Sequence, residues 1–157
     1  MVKRKKIKPL KCFVLIVSRN FPSTHPKAGL PTHFLDQISN GFKKHTIRQN
    51  YELWKKRIDM VNDGLAYISL RYWDGKPYVD SQKEYKTFFR GQIGIEKLEF
   101  DAMLGVFIES LDSDTTTTTL ATNDGLSLNE FKHWFKPVKF DSAYAIIHFT
   151  DFRYSEA

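Results

Sequence analysis

Apolar residues along the chain follow the spacings of short strands and short helices. The run KCFVLIVSR, residues 11–19, is rich in β-branched side chains and too short to span a membrane, which predicts a buried strand that includes Cys12. Residues 65–73 alternate apolar and polar side chains, which predicts a strand with one face in the core. Further strands are predicted over residues 45–48, 91–100, 104–109 and 143–149.

Two helices are predicted in the first half of the chain. The first covers residues 32–39, with Thr32 as its N-cap and Gly41 as its C-terminal stop. The second covers residues 51–61 behind an Asn50 cap, and its apolar residues fall on one stripe. Both helices therefore have one face suited to the core.

A third helix is predicted over residues 126–135, because Ser127 and Glu130 have the spacing of a capping box. Leu126 and Phe131 stand at the positions of a hydrophobic staple at the same helix end. Residues 112–119 are polar and of low complexity, which predicts an exposed loop. Short strands interleaved with short helices are typical of an α+β domain around a small mixed sheet or barrel.

Composition sets the broad class. The 157 residues are 41% apolar and 27% charged, which is typical of one globular domain. Cys12 is the only cysteine and has no partner for an internal disulfide, which favours a reducing compartment. No apolar run reaches membrane-spanning length and no signal peptide is evident, so we expect a cytoplasmic protein without a membrane partner.

The net charge of +6 is concentrated at the N-terminus. Residues 1–11 contain six basic and no acidic residues, and the remainder has 18 basic and 18 acidic residues. We therefore predict a flexible basic tail over residues 1–11, with nucleic acid or an acidic protein as its partner, and a single domain over residues 12–157. A second basic cluster lies at residues 40–57.

Within that cluster, residues 41–48 read GFKKHTIR, which is the pattern G-x-K-x-x-T-I-R. This motif resembles the diagnostic motif of the ASCH family, which belongs to the PUA-like superfamily of RNA-associated β-barrels. The resemblance implies a PUA-like mixed β-barrel with two to four short peripheral helices. It also implies a domain that binds RNA, a nucleotide or a modified nucleoside.

A second similarity lies in NDGLSLNEF, residues 123–131. It resembles the segment before the corresponding helix in ASCH enzymes that hydrolyse N4-acetylcytidine. Those enzymes use a lysine and a threonine of the motif and a glutamate before the helix. The matching positions are Lys43, Thr46 and Asp124, and the aspartate is one methylene shorter than the family's glutamate.

The side-chain chemistry of Lys43, Thr46 and Asp124 is consistent with a role in hydrolysis. A lysine near a threonine hydroxyl activates it or stabilises a tetrahedral oxyanion, and Asp124 before a helix N-terminus suits a proton acceptor. In a regular strand, however, Lys43 would point away from Thr46, so the chain must turn between them. We expect four further residues to contact the ligand, through basic groups or a stacking ring: Lys44, Arg48, Tyr67 and Arg71.

A purely structural interpretation also exists for this set. Lys43 and Lys44 are ordinary candidates for solvated side chains, Thr46 is a common strand residue, and Asp124 with Gly125 is a common turn pair. No glycine-rich phosphate loop occurs, and the five histidines lack metal-ligand spacing, so no cofactor and no metal are predicted.

Three functional hypotheses follow. The first is a binding domain for RNA, a nucleotide or a nucleoside. The second is an amidohydrolase for an N-acylated base or nucleoside, such as N4-acetylcytidine, with Thr46 as nucleophile, Lys43 as its activator and Asp124 as proton shuttle. The third is a protein-interaction module that acts through the basic tail.

Overall fold

The computed structural model describes residues 8–101, 105–108, 117–136 and 142–156. Its first half contains four strands and two helices: β1 (Lys11–Ile16), α1 (Phe34–Asn40), β2 (His45–Gln49), α2 (Tyr51–Asn62), β3 (Ala66–Trp73) and β4 (Gln82–Phe88). The second half contains β5 (Gly94–Asp101), β6 (Gly105–Ile108), α3 (Thr117–Asn123), α4 (Leu128–Trp134), β7 (Tyr144–His148) and a 3-10 turn, Tyr154–Glu156. The α+β class is confirmed.

The strands form two sheets. The three-stranded sheet has the order β1-β3-β4, with β1 parallel and β4 antiparallel to β3. The four-stranded sheet has the order β2-β7-β5-β6, and its neighbours run antiparallel. Pairing of one parallel and one antiparallel neighbour makes the first sheet mixed, as predicted.

Strand β7 separates two clusters of buried apolar residues. Side chains alternate across a strand, so Ile147 packs with Leu15, Ile58 and Ile68 in one cluster, whereas Ile146 packs in the other. The second cluster includes Leu98, Leu120, Phe131 and Tyr154. All five residues of β7 are buried, which matches the predicted apolar strand at residues 143–149.

Most predicted helix signals are confirmed. The Asn50 side chain accepts a hydrogen bond from the Leu53 backbone N–H, and the buried residues Trp54, Ile58 and Val61 form the expected stripe. Gly41 ends α1 with φ of +84°, which is the left-handed conformation that glycine adopts without strain. Both reciprocal hydrogen bonds of the capping box before α4 are present.

The capping box gives a stability prediction. Replacing Ser127 with Ala removes the acceptor for the Glu130 backbone N–H, 3.1 Å away, and should lower the free energy of unfolding by about 1 kcal/mol. Ser39→Ala, at an exposed position of α1, is the matched control and should change it by less than about 0.5 kcal/mol. Urea unfolding of both variants measures the difference, and equal effects would contradict the role of the cap.

Three predictions about individual elements were wrong, and one strand was missed. The N-cap of α1 is His33, and Thr32 instead donates its hydroxyl to the Ser18 carbonyl oxygen at 2.7 Å. Residues 117–119 of the predicted loop begin helix α3, whereas residues 112–116 lie outside the described residues. Strand β4 was not predicted. Cys12 is exposed rather than buried in the core, because it lies at the exposed N-terminal end of β1, whose buried residue is Leu15.

The limits of two predicted segments, the basic tail and the strand at residues 104–109, can also be compared with the structure. Lys11, which was assigned to the tail, is the first residue of β1 and pairs with Ala66, and residues 1–7 lie outside the described residues. Strand β6 covers residues 105–108, and residues 104 and 109 of the predicted strand lie outside the described residues. Among the helices that the structure describes, none has the length and apolar character needed to cross a membrane.

Candidate functional site

Lys43 is a buried lysine rather than a solvated one. Only 1% of its surface is exposed, and its Nζ donates to the Asp124 carbonyl oxygen at 2.5 Å and to Asp124 Oδ1 at 3.1 Å. The ammonium also lies 4.1 Å from the centroid of the Phe34 ring. A lysine is almost never fully buried unless it is paired, so this contact is specific.

The local chain path explains why Lys43 points inward. Lys43 precedes β2, so the alternation of strand side chains does not apply to it. Its backbone N–H donates to the Gln37 carbonyl oxygen, and the next N–H, of Lys44, donates to the Asn123 carbonyl oxygen at 2.8 Å. These bonds attach the segment to α1 and to the end of α3, and they bring Lys43 to Asp124.

Asp124 lies in the turn between α3 and α4 and is 4% exposed. Burial alone would raise the pKa of its carboxyl, but the Lys43 ammonium and the hydrogen bond from His45 lower that pKa overall. Burial lowers the pKa of Lys43, and attraction to Asp124 opposes that change. The aspartate is therefore an ionised carboxylate at neutral pH, held against a buried amine.

Thr46 and Arg48 complete the inner part of the site. Thr46 is buried, and its Oγ1 accepts a hydrogen bond of 2.7 Å from Arg48 Nη1. The other end of the guanidinium donates to the Ile16 carbonyl oxygen in β1. Burial lowers the pKa of Arg48, but the group remains a cation in proteins. Its hydrogen bonds are to strand backbone and to Thr46.

The three residues that the family resemblance selected, two from the motif and one from residues 123–131, share one small cavity of about 20 Å³. Lys43, Thr46 and Asp124 all line it, and its volume is enough for about one water molecule. Ser18, Ile47, Arg48, Trp134 and Phe135 line both this cavity and a larger cleft of about 370 Å³. The cleft and the small cavity around the lysine–aspartate pair are therefore neighbours that share these five residues.

Aromatic rings line the larger cleft. Trp134 ends α4, Phe135 follows it, and Tyr144 begins β7. Trp134 also packs on Phe34, with ring centroids 5.6 Å apart. A ring of the cleft wall therefore contacts the ring that lies next to the Lys43 ammonium. Gln49 and Arg48 supply polar groups to the same cleft. The cleft therefore presents polar surface as well as aromatic rings, and its volume is within the range of small-molecule sites.

The structure does not bring every predicted ligand residue to this cleft. Lys44 is partly exposed, with its Nζ 4.8 Å from the centroid of the Phe152 ring. Tyr67 stacks on Phe89 in the three-stranded sheet, and Arg71 donates to Ser69 Oγ on the same strand. Neither Tyr67 nor Arg71 is among the residues that line the two cavities.

Sequence reasoning missed several residues of the site, above all His45. This residue is fully buried, and its Nδ1 lies 3.3 Å from Asp124 Oδ1. Its position inside the motif was the available signal. Within the described ranges, no three His, Cys, Asp or Glu residues are grouped to hold a metal ion. Comparison of the whole chain with protein-family models, with curated proteins and with solved structures finds no match.

Proposed function

We propose that this chain is an ASCH-type domain whose aromatic cleft binds the base and sugar of a nucleoside, either free or within RNA. The observation that carries the proposal is the cleft itself, about 370 Å³ and lined by Trp134, Phe135 and Tyr144. That volume is within the range of small-molecule sites, and flat aromatic walls suit a nucleobase. In this proposal the two sheets correspond to the PUA-like barrel of the family.

Charge at the cleft supports the same class of ligand. Arg48 is a fixed cation at the boundary between the cleft and the inner cavity, and it offers N–H donors to a phosphate or to a base edge. Lys43 and Asp124 lie deeper and offer a donor and an acceptor. A nucleobase carries both kinds of polar group on its edge, so it matches this pair.

A titration tests the binding proposal. Native protein is titrated with N4-acetylcytidine and with a short single-stranded RNA, and Trp134→Leu should weaken binding of both probes by roughly ten-fold, in line with the stacking energy of one base. Trp73→Leu is the matched control, because Trp73 lies on β3 beside Tyr78 and lines neither cavity. Equal losses in the two variants, or no binding by the native protein, would contradict the proposal.

A second candidate function is an amidohydrolase, and the inner cavity favours it. Lys43, Thr46 and Asp124 line the same small space, and burial moves the pKa of the lysine away from its solvent value. Clusters of titratable groups with perturbed pKa values in a cleft are candidates for catalysis. The Arg48 hydrogen bond to Thr46 Oγ1 favours negative charge on that oxygen.

The proposed reaction has two halves. Thr46 Oγ1 attacks the acyl carbon of an N-acylated base while its proton passes to the Asp124 carboxylate, and the Lys43 ammonium stabilises the oxyanion. The C–N bond then breaks, and the proton moves from Asp124 to the leaving nitrogen. Water next attacks the Thr46 ester, so that the carboxylic acid is released and the threonine hydroxyl is restored.

Hydrolysis of N4-acetylcytidine to cytidine and acetate tests this candidate. Thr46→Ala and Asp124→Asn should each lower turnover by at least about 100-fold, since each removes a group from the reacting set. Thr87→Ala, on β4, is the control and should retain turnover. Retained turnover in both site variants would rule out the assigned roles.

A further inference from the structure

Behind the cleft, Asp124 is the end of a chain of buried hydrogen bonds that the proposed reaction does not use. His45 Nδ1 lies 3.3 Å from Asp124 Oδ1, and His45 Nε2 lies 2.7 Å from the Tyr154 hydroxyl oxygen. Asn123 Nδ2 donates to the same hydroxyl at 3.2 Å. All four residues are buried, at 7% exposure or less, so none of these bonds competes with bulk water.

The charge states give every bond in this chain a direction. The pKa of Asp124 is lowered, so its carboxylate only accepts hydrogen bonds. Burial lowers the pKa of His45 to about 4, so its imidazole is neutral at pH 7 and carries a single N–H. That N–H must be at Nδ1 to donate to Asp124, which leaves Nε2 as an acceptor.

The remaining bonds fit the same direction. Burial raises the pKa of Tyr154, so the phenol keeps its proton and donates it to His45 Nε2. The phenol oxygen then accepts from the Asn123 amide. Donors therefore run from Asn123 through Tyr154 and His45 to Asp124, where Lys43 donates from the other side.

Tyr154 is itself held in place by the four-stranded sheet. Its backbone N–H donates to Glu96 Oε1 at 2.8 Å, and the Ser155 N–H donates to Glu96 Oε2 at 3.2 Å. Glu96 Oε1 also lies 2.8 Å from Nε2 of His148, at the end of β7. The C-terminal 3-10 turn is thus fixed to β5 and β7, with the phenol aimed at His45.

We infer that His45 and Tyr154 are positioning residues for Asp124: the Tyr154 hydroxyl selects the Nδ1–H form of His45, and His45 then orients the carboxylate toward Lys43 and the cleft. The groups that face Asp124 and His45 in this arrangement are Lys43, Arg48, His148 and Tyr154, with Glu96 behind His148. The effect on turnover rests on the proposed hydrolase function, whereas the form of His45 does not.

Nitrogen NMR of histidine-labelled protein at pH 7 tests the inference directly. The expected result for native protein is that His45 carries its proton on Nδ1, and a proton on Nε2 would overturn the inference. In Tyr154→Phe only the Asp124 carboxylate still favours the Nδ1–H form, so the fraction of the Nε2–H form should rise above its native level, and carboxyl carbon NMR should show a higher pKa for Asp124. Tyr85→Phe removes a tyrosine hydroxyl bonded to the Leu35 carbonyl oxygen and should change neither signal.

A turnover measurement separates this inference from the proposed function. If native protein hydrolyses N4-acetylcytidine, Tyr154→Phe should lower kcat by about ten-fold with KM within two-fold, and should move the acidic limb of the pH–rate profile to higher pH. An unchanged profile would contradict positioning by Tyr154. Absence of turnover in native protein would count against the hydrolase alone, because the NMR result decides the form of His45 independently.

Discussion

Replacing Lys43 with Met should lower the free energy of unfolding at pH 7 by roughly 3–5 kcal/mol, the cost of breaking a buried ion pair. The methionine fills similar volume, but the Asp124 carboxylate then loses the ammonium that lies 3.1 Å from Oδ1 in the native protein. Burial would raise the pKa of that carboxyl once the ammonium is absent. The loss of stability should therefore shrink as pH falls and Asp124 takes up a proton.

The adjacent lysine provides the control for this variant. Lys44 is partly exposed and its ammonium lies 4.8 Å from the centroid of the Phe152 ring, so Lys44→Met should change stability by less than about 1 kcal/mol. Combining Lys43→Met with Asp124→Asn removes the unpaired charge and should restore part of the loss. Equal effects of the two single lysine variants in urea unfolding would contradict the buried pair.

Acid should destabilise the protein through His45 well above the pH at which carboxylates take up protons. The pKa of His45 is about 4 in the fold and about 6.5 in an unfolded chain, so the unfolded state binds the proton first as pH falls. Stability is therefore unaffected above pH 6.5 and decreases between pH 6.5 and pH 4, by about 3 kcal/mol in total. Burial lowers this pKa most, attraction to Asp124 opposes the change, and His148 and Lys43 add to it. The Tyr154 hydroxyl also faces the imidazole.

The slope of stability against pH is the measurement for this prediction. Unfolding free energies of His45→Asn and native protein are compared at several values from pH 4 to pH 7, and the variant should lose about 3 kcal/mol less over that interval. His148, whose pKa is also lowered by burial, contributes in the same direction in both proteins. His33→Asn, at an exposed position that asparagine tolerates with φ of +60°, should keep the native slope. If the free energy of unfolding of His45→Asn changes with pH as steeply as that of native protein, His45 is not a buried neutral histidine.

Local patterns predicted the elements that carry strong signals of their own. The apolar run of β7 and the capping box of α4 were both recognisable, because each signal lies within a few neighbouring residues. Strand β4 was missed because five of its seven residues are exposed, and an edge strand with the sequence QKEYKTF shows no apolar alternation. Helix α3 was missed because its first residues are threonines, and its two buried apolar residues, Leu120 and Ala121, are too few to show a helical pattern.

The site shows a similar division between local and tertiary information. The motif selected Lys43 and Thr46, the similarity at residues 123–131 selected Asp124, and all three line one cavity. Local geometry alone would have turned Lys43 outward, since the attachment of its segment to α1 and α3 is a tertiary feature. His45 lies inside the motif, but its contact with Asp124 is a tertiary feature. Trp134 and Tyr144 lie far from the motif in the sequence, and only the fold shows that they line the cleft. Tyr67 and Arg71 were chosen on residue type and lie on the other sheet.

The most direct test of the proposed function is an NMR titration of native protein with N4-acetylcytidine, followed through backbone amide and indole shifts. Binding in the aromatic cleft predicts that the shifts concentrate at Ile47, Arg48, Gln49 and Trp134. Shifts that instead concentrate at Tyr67 and Arg71 on β3, or the absence of shifts at millimolar ligand, would contradict it.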